Sequence, residues 1–209
     1  MVDGRVLLDG GAPLLPHMHR VGIEPKDIDV VFLTHFHGDH TLGLPPFVLH
    51  RIFVDKPRQL TFVGPDGVAG RLESLWEVSW GVDWKSVMLP RFKARYVDAR
   101  PSGQVAGHRY ETVKLDHGTT GCNGYRIHFG DVVLAYSGDT EPTAPLDRLV
   151  EGADVAIVEA TGPGDVFSHM SWEAAAALRK RHPQTRFIFN HLYSGSVKGA
   201  ARDLQVVEV

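Results

Sequence analysis

Three imidazoles and a carboxylate fall within six residues in Thr34-His35-Phe36-His37-Gly38-Asp39-His40, directly after the apolar run Ile28 to Leu33. If the chain stays extended past Leu33, His35 and His37 project to the same side and both rings reach one cation. Gly38 then permits a sharp turn that swings Asp39 and His40 towards a second position. One loop therefore carries donors for two metal ions. An isolated histidine is ordinarily just solvated, but this loop closes a strand of buried type and does not stand alone.

Four apolar runs, ending at Leu33, Tyr136, Val158 and Phe189, each hand over to a His, Asp or Glu within a few residues. Strand ends that converge on one edge make a site. Imidazole and carboxylate donors without thiolate suit Zn²⁺, with Mn²⁺ and Fe²⁺ as alternatives. Two such ions about 3.5–4 Å apart share a water and lower its pKa from 15.7 towards ~7, which makes hydroxide the nucleophile at neutral pH.

His35, His37, Asp39 and His40, with Asp139 in Ser137-Gly138-Asp139-Thr140, resemble the metallo-β-lactamase-fold hydrolases. Gly64-Pro65, Asp116-His117 followed by Gly124-Tyr125-Arg126-Ile127, Glu159-Ala160-Thr161, His169-Met170-Ser171 and His191-Leu192 extend the resemblance to the ribonuclease Z-like phosphodiesterase branch, in order from Leu7 to about Ser194. The resemblance implies an α/β four-layer αββα sandwich of two mixed sheets with outer helices. A further strand pair normally precedes Val6-Leu7-Leu8, so the N-terminal strands are expected to be truncated. The resemblance also implies two divalent metal ions, with His35, His37 and His117 on the first, Asp39, His40 and His191 on the second, and Asp139 bridging. Asp39 is expected to take the proton of the water, His169 to assist the leaving group as the resemblance implies, and Glu159 to orient His169. Cys122 is at no ligand position, unlike the cysteine of the antibiotic-hydrolysing β-lactamases. A homodimer is the family expectation.

One departure separates the chain from ribonuclease Z. The tRNA-clasping arm of that enzyme is a long insertion between the residues matching His117 and Asp139, which here are 22 positions apart and filled by a hairpin. The expected substrate is a small phosphodiester or short nucleotide, and tRNA is disfavoured. The competing readings are hydrolysis of a lactone or aryl sulfate on the same donors, and a catalytically weak protein that binds a ligand or partner. A mononuclear iron oxygenase would leave Asp39, His40 and His191 without a purpose.

Composition sets the outer bounds. A chain of 209 residues with 43% hydrophobic content suits one domain with one core, taken as 1–209. A single cysteine excludes an intrachain disulfide, and no apolar run approaches the ~20 residues of a membrane span, so a cytoplasmic, membrane-free protein is expected. The formal charge of −3 advertises no large nucleic-acid footprint. Arg91-Phe92-Lys93-Ala94-Arg95-Tyr96 alternates like a strand with one solvated cationic face.

Helices are expected over Pro13–Val21, where His17 and His19 are not ligands, from Gly43 to Arg51, from Val68 past Trp76, around Leu146–Val150, and over Ala174–Arg181 with Ser171 as N-cap. Strands are expected at Val6–Leu8, Ile28–Leu33, Leu60–Val63, Val87–Leu89, Phe92–Val97, Tyr110–Leu115, a hairpin from Tyr125 to Tyr136, Asp154–Val158, Arg186–Phe189 and weakly Val206–Val209. The tryptophans at 80 and 84 are expected to pack, and Cys122 to occupy a loop.

Overall fold

The computed structural model describes residues 1–55, 58–81, 84–193, 195 and 197–208. The chain divides into two compact units, Met1–Ala99 and Arg100–Val209, each with its own buried apolar cluster.

The first unit is a four-stranded sheet in the order β1 (Val6–Leu8), β2 (Val30–Phe32), β3 (Leu60–Gly64), β4 (Ala94–Asp98). All three pairings are parallel, so this sheet is not mixed as the sequence led us to expect. Parallel neighbours need crossover connections. Helices α1 (Leu14–Arg20), α2 (Gly38–Thr41), α3 (Leu44–Phe53) and α4 (Val68–Trp80) lie in these connections. Strand β2 is apolar throughout and β3 is interrupted only by Thr61, as suits strands buried along their length. Their inner residues Val31, Leu33, Leu60 and Phe62 pack with Phe47, Val48, Leu72 and Trp76 from the helices.

The second unit is a six-stranded mixed sheet in the order β10-β9-β8-β7-β6-β5. Its strands are β5 (Ser102–Val105), β6 (His108–Leu115), β7 (Cys122–Phe129), β8 (Val132–Tyr136), β9 (Val155–Glu159) and β10 (Arg186–Asn190). The hairpins from β5 to β8 are antiparallel, while β8, β9 and β10 run parallel through α5 (Ala144–Val150) and α6 (Trp172–Arg181). Ser171 caps α6 by accepting a hydrogen bond from the Ala174 N–H at 3.1 Å.

Several expectations need correction. Val87–Leu89 is not a strand. Trp84–Met88 forms a π-helical turn and Leu89–Arg91 a 3₁₀ turn, because Trp84 buries itself against Trp76 and Pro90 has no N–H for a ladder. Strand β5 was missed, its Ser-Gly-Gln-Val sequence carrying little apolar signal. Cys122 is buried at the start of β7 rather than in a loop. Val206 to Glu208 are not in a strand, and Val209 and Ser194 lie outside the described residues. The tryptophans pack as expected, with Trp76 and Trp80 stacked at 5.2 Å.

Arg51 of α3 fixes the entry to β2. Its buried guanidinium donates from Nη1 to the carbonyls of Pro25 at 2.6 Å and Ile28 at 2.7 Å. Replacing it with methionine keeps the apolar stem and leaves two carbonyls without their donor, so Arg51→Met should cost about 3 kcal/mol. Urea denaturation should show a lower midpoint with little change in slope.

Candidate metal centre

In the first unit the donors are set by Asp9, the residue after β1. Its Oδ1 accepts from the Thr34 N–H at 2.8 Å, and its Oδ2 accepts from the Thr34 hydroxyl at 2.8 Å. The same Oδ2 lies 2.8 Å from His40 Nδ1. Because the Thr34 hydroxyl proton is committed to Asp9, its oxygen accepts from His35 Nδ1, 3.0 Å away. One buried carboxylate thus holds Nδ1–H on His40 directly and on His35 through a threonine. Both tautomers place the lone pair on Nε2, the atom needed for a metal. The rings of His35 and His37 stand 4.5 Å apart, and those of His35 and His40 4.2 Å.

The backbone here is close-packed. A Cβ on Gly11 would collide with the Asp39 carbonyl, and one on Gly43 with the Gly11 carbonyl. The Gly10 N–H donates to the His40 carbonyl at 2.7 Å and the Gly43 N–H to the Gly10 carbonyl at 2.8 Å. The turn after His37 is made by α2, which swings Asp39 and His40 round; Gly38 opens that helix without a left-handed φ, so its expected role as a sharp turn is corrected. His35 and His40 are buried, whereas His37 and the Asp39 side chain are exposed.

In the second unit one sheet edge collects the donors. Strands β8, β9 and β10 are parallel in register, with Tyr136 opposite Ile157 and Glu159 opposite Asn190. Two successive antiparallel pairings make β6 run with β8, so Glu159 ends β9, and His117, Asp139 and His191 follow the ends of β6, β8 and β10, on the same side of the sheet. Asp139 is 2% exposed, and its Oδ2 stands 3.8 Å from His117 Nε2 and 3.5 Å from His191 Nε2. Both separations exceed a hydrogen bond and leave room for an ion between Asp139 and each imidazole, where two ligand atoms of one ion would stand about 3.3 Å apart for tetrahedral bonds of about 2.0–2.1 Å.

The Nδ1 atoms are again engaged. His117 Nδ1 donates to the Ser168 carbonyl at 2.8 Å. His191 Nδ1 lies 3.0 Å from the Thr161 hydroxyl, which donates to Glu159 Oε2. This repeats the carboxylate–threonine–imidazole relay of the first unit. Glu159, fully buried, also accepts from the N–H groups of Thr140 and Met170, and both its oxygens stand 3.2 Å from His169 Nδ1. Glu159, His169 and His191 offer donor atoms within 4.8 Å of one another. The carboxylate's hydrogen bonds make it an orienting group for the other two.

Imidazole and carboxylate groups of this kind have the chemistry of divalent-ion donors. Sequence reasoning missed Asp9, Thr34 and Thr161. Asp9 was legible only as a turn residue before Gly10-Gly11, although its left-handed φ of 53° marks a special position; Ser168 and His191 share this, at 60° and 57°. His108 packs on Phe129 at 4.8 Å, and His19 pairs with His50 at 5.7 Å, so neither joins the donors.

The beta-lactamase superfamily domain matches residues 4–192. The chain belongs to the beta-lactamase superfamily. Within it, ribonuclease Z of Bacillus licheniformis is 29% identical over 236 aligned positions that cover 89% of this chain and 77% of the relative. As 89% of 209 residues is about 186, about 50 aligned positions of that relative have no counterpart here. The superfamily fold is shared with human tRNase Z, short form (TM-score 0.76, 19% identity, 100% of this chain and 90% of that one). It is shared too with a diphosphatase of the PhnP family (TM-score 0.67, 21% identity, 92% and 71%).

Removing the carboxylate that fixes two imidazoles should loosen metal binding without removing a ligand. Asp9→Ala should weaken Zn²⁺ affinity by about 10–100-fold, as outer-shell losses do, measured by competition with a chromogenic chelator.

Proposed function

We propose that residues 1–209 act as one hydrolase domain, a dinuclear metal-dependent phosphodiesterase of the cytoplasm, acting on a small phosphodiester or short nucleotide rather than on tRNA. The observation that carries this reading is Asp139 Oδ2, faced by the Nε2 atoms of His117 and His191 at 3.8 and 3.5 Å, as a carboxylate shared between two ions would be. In it His35, His37 and His117 hold one ion, Asp39, His40 and His191 the other, and Asp139 both. Zn²⁺ is the expected metal, with Mn²⁺ or Fe²⁺ as substitutes. Bound there, the ions lower the pKa of water towards ~7 and offset the negative charge that grows at phosphorus.

The chain's own residues do the rest. Asp39, with its side chain 53% exposed, accepts the proton of the attacking water. His169, 15% exposed, keeps Nδ1–H on Glu159; in its imidazolium form it carries a second proton on Nε2, which passes to the leaving alkoxide and leaves the neutral ring. Glu159 is a positioning residue: it stabilises the imidazolium and fixes its orientation. The short span from His117 to Asp139, filled by the β7–β8 hairpin, and the roughly 50 positions lacking relative to ribonuclease Z favour a compact substrate. Among the described residues no helix is long and apolar enough to cross a membrane.

Protein reconstituted with Zn²⁺ or Mn²⁺ should hydrolyse bis(p-nitrophenyl) phosphate, and Asp139→Ala should abolish that turnover. Absence of turnover in a folded, metal-replete protein would overturn the reading. His169→Ala should lower kcat by about 10²–10⁴ with little effect on KM on a dinucleotide, whose leaving alkoxide needs a proton, and far less on bis(p-nitrophenyl) phosphate, whose leaving group does not, read from steady-state kinetics on both.

A further inference from the structure

Just past His191, the chain presents a large aromatic ring that the proposed chemistry does not use. Tyr193 is 72% exposed. Its main chain is nonetheless held. Its N–H donates to the Thr161 carbonyl at 3.1 Å. Two residues on, Gly195 adopts a left-handed φ of 69° and passes so close to Trp172 that a Cβ would collide with the indole. That indole is itself fixed, its Nε1–H donating to the Ala160 carbonyl at 3.1 Å.

The ring continues a tier of imidazoles. His169 and His191 stack at 5.2 Å with planes 20° apart, and Tyr193 stands 5.1 Å from His191 and 6.3 Å, edge to face, from His169. His169 and His191 are locked to Glu159, the first directly and the second through Thr161. A flat, amphipathic ring is therefore pre-positioned beside the two imidazoles nearest the reacting end. An exposed aromatic held in place, with few rotatable bonds to freeze, suits stacking on another π-face.

Resting on the phosphodiesterase reading, we propose that Tyr193 is a specificity-determining platform that stacks the nucleobase of a nucleotide-type phosphodiester while the phosphate engages the metal centre. Nucleobases supply a π-face whatever their sequence, and the ring selects for that face rather than for an edge pattern. A substrate with an aliphatic group in place of the nucleoside loses this contact and keeps the same scissile bond.

Two substrates isolate the contact. Thymidine 5′-(p-nitrophenyl phosphate) and methyl p-nitrophenyl phosphate release the same leaving group and differ in the nucleoside. The metal-loaded protein should favour the thymidine ester in kcat/KM, Tyr193→Ala should reduce that preference at least about tenfold, and Tyr193→Phe should retain it. A preference that survives in Tyr193→Ala, or one lost equally in Tyr193→Phe, overturns the proposal. In parallel, saturation-transfer NMR with thymidine monophosphate reads base contact without turnover. Signal on the base protons that weakens in Tyr193→Ala supports the platform even if neither ester is cleaved, which would count against the phosphodiesterase reading alone. Absence of that signal in the unaltered protein overturns the platform.

Discussion

The arrangement of the imidazoles depends on buried carboxylates that hold their Nδ1 protons. Asp9 does this for His40 directly and for His35 through Thr34. Glu159 does it for His169 directly and for His191 through Thr161. An imidazole has two chemically distinct nitrogens, and only the tautomer with its lone pair on Nε2 can serve a cation there. Taking a carboxylate out of water is costly unless it is fully hydrogen-bonded. Asp9 meets that requirement with one backbone N–H and Glu159 with two, each adding a threonine hydroxyl and an imidazole. The same bonds that make their burial tolerable orient the rings.

The sheets explain why these groups meet. Parallel strands in register end together, so residues that follow β8, β9 and β10 reach one edge without long loops. In the first unit β1 and β2 end together, which brings Asp9 to Thr34 across 25 positions of chain. The glycines at 11 and 43 let the loops after those strands lie backbone against backbone. Chemistry at the edge is thus a product of strand register, and the helices contribute chiefly to the apolar clusters beneath it.

Much of this was legible in the sequence, for physical reasons that also set its limits. His35 to His40 stood out because clustered imidazoles are rare, and Ile28 to Leu33 because a continuous apolar run is what a doubly buried strand requires. Asp9 was not legible, since a lone acidic residue before two glycines reads equally well as a turn; its value comes from a partner 25 positions away. Thr34 and Thr161 were hidden for the same reason, a hydroxyl having no periodicity. Strand β5 lacked apolar content and borrows its order from β6. Val87 to Leu89 misled because a short apolar run resembles a strand, while the burial of Trp84 decides the outcome.

The left-handed backbone at Asp9, Ser168 and His191 limits how this chain can be made hardier. Such positions cost stability, of order 1 kcal/mol or more each, and glycine is the usual remedy. At Asp9 and His191 that remedy deletes the working side chain, so stability and chemistry are in direct conflict. Ser168 is different, because its contribution to His117 comes from the main-chain carbonyl. There the conformational cost and the chemical role are separable, and a thermostabilised variant has room to improve at that residue while Asp9 and His191 stay fixed.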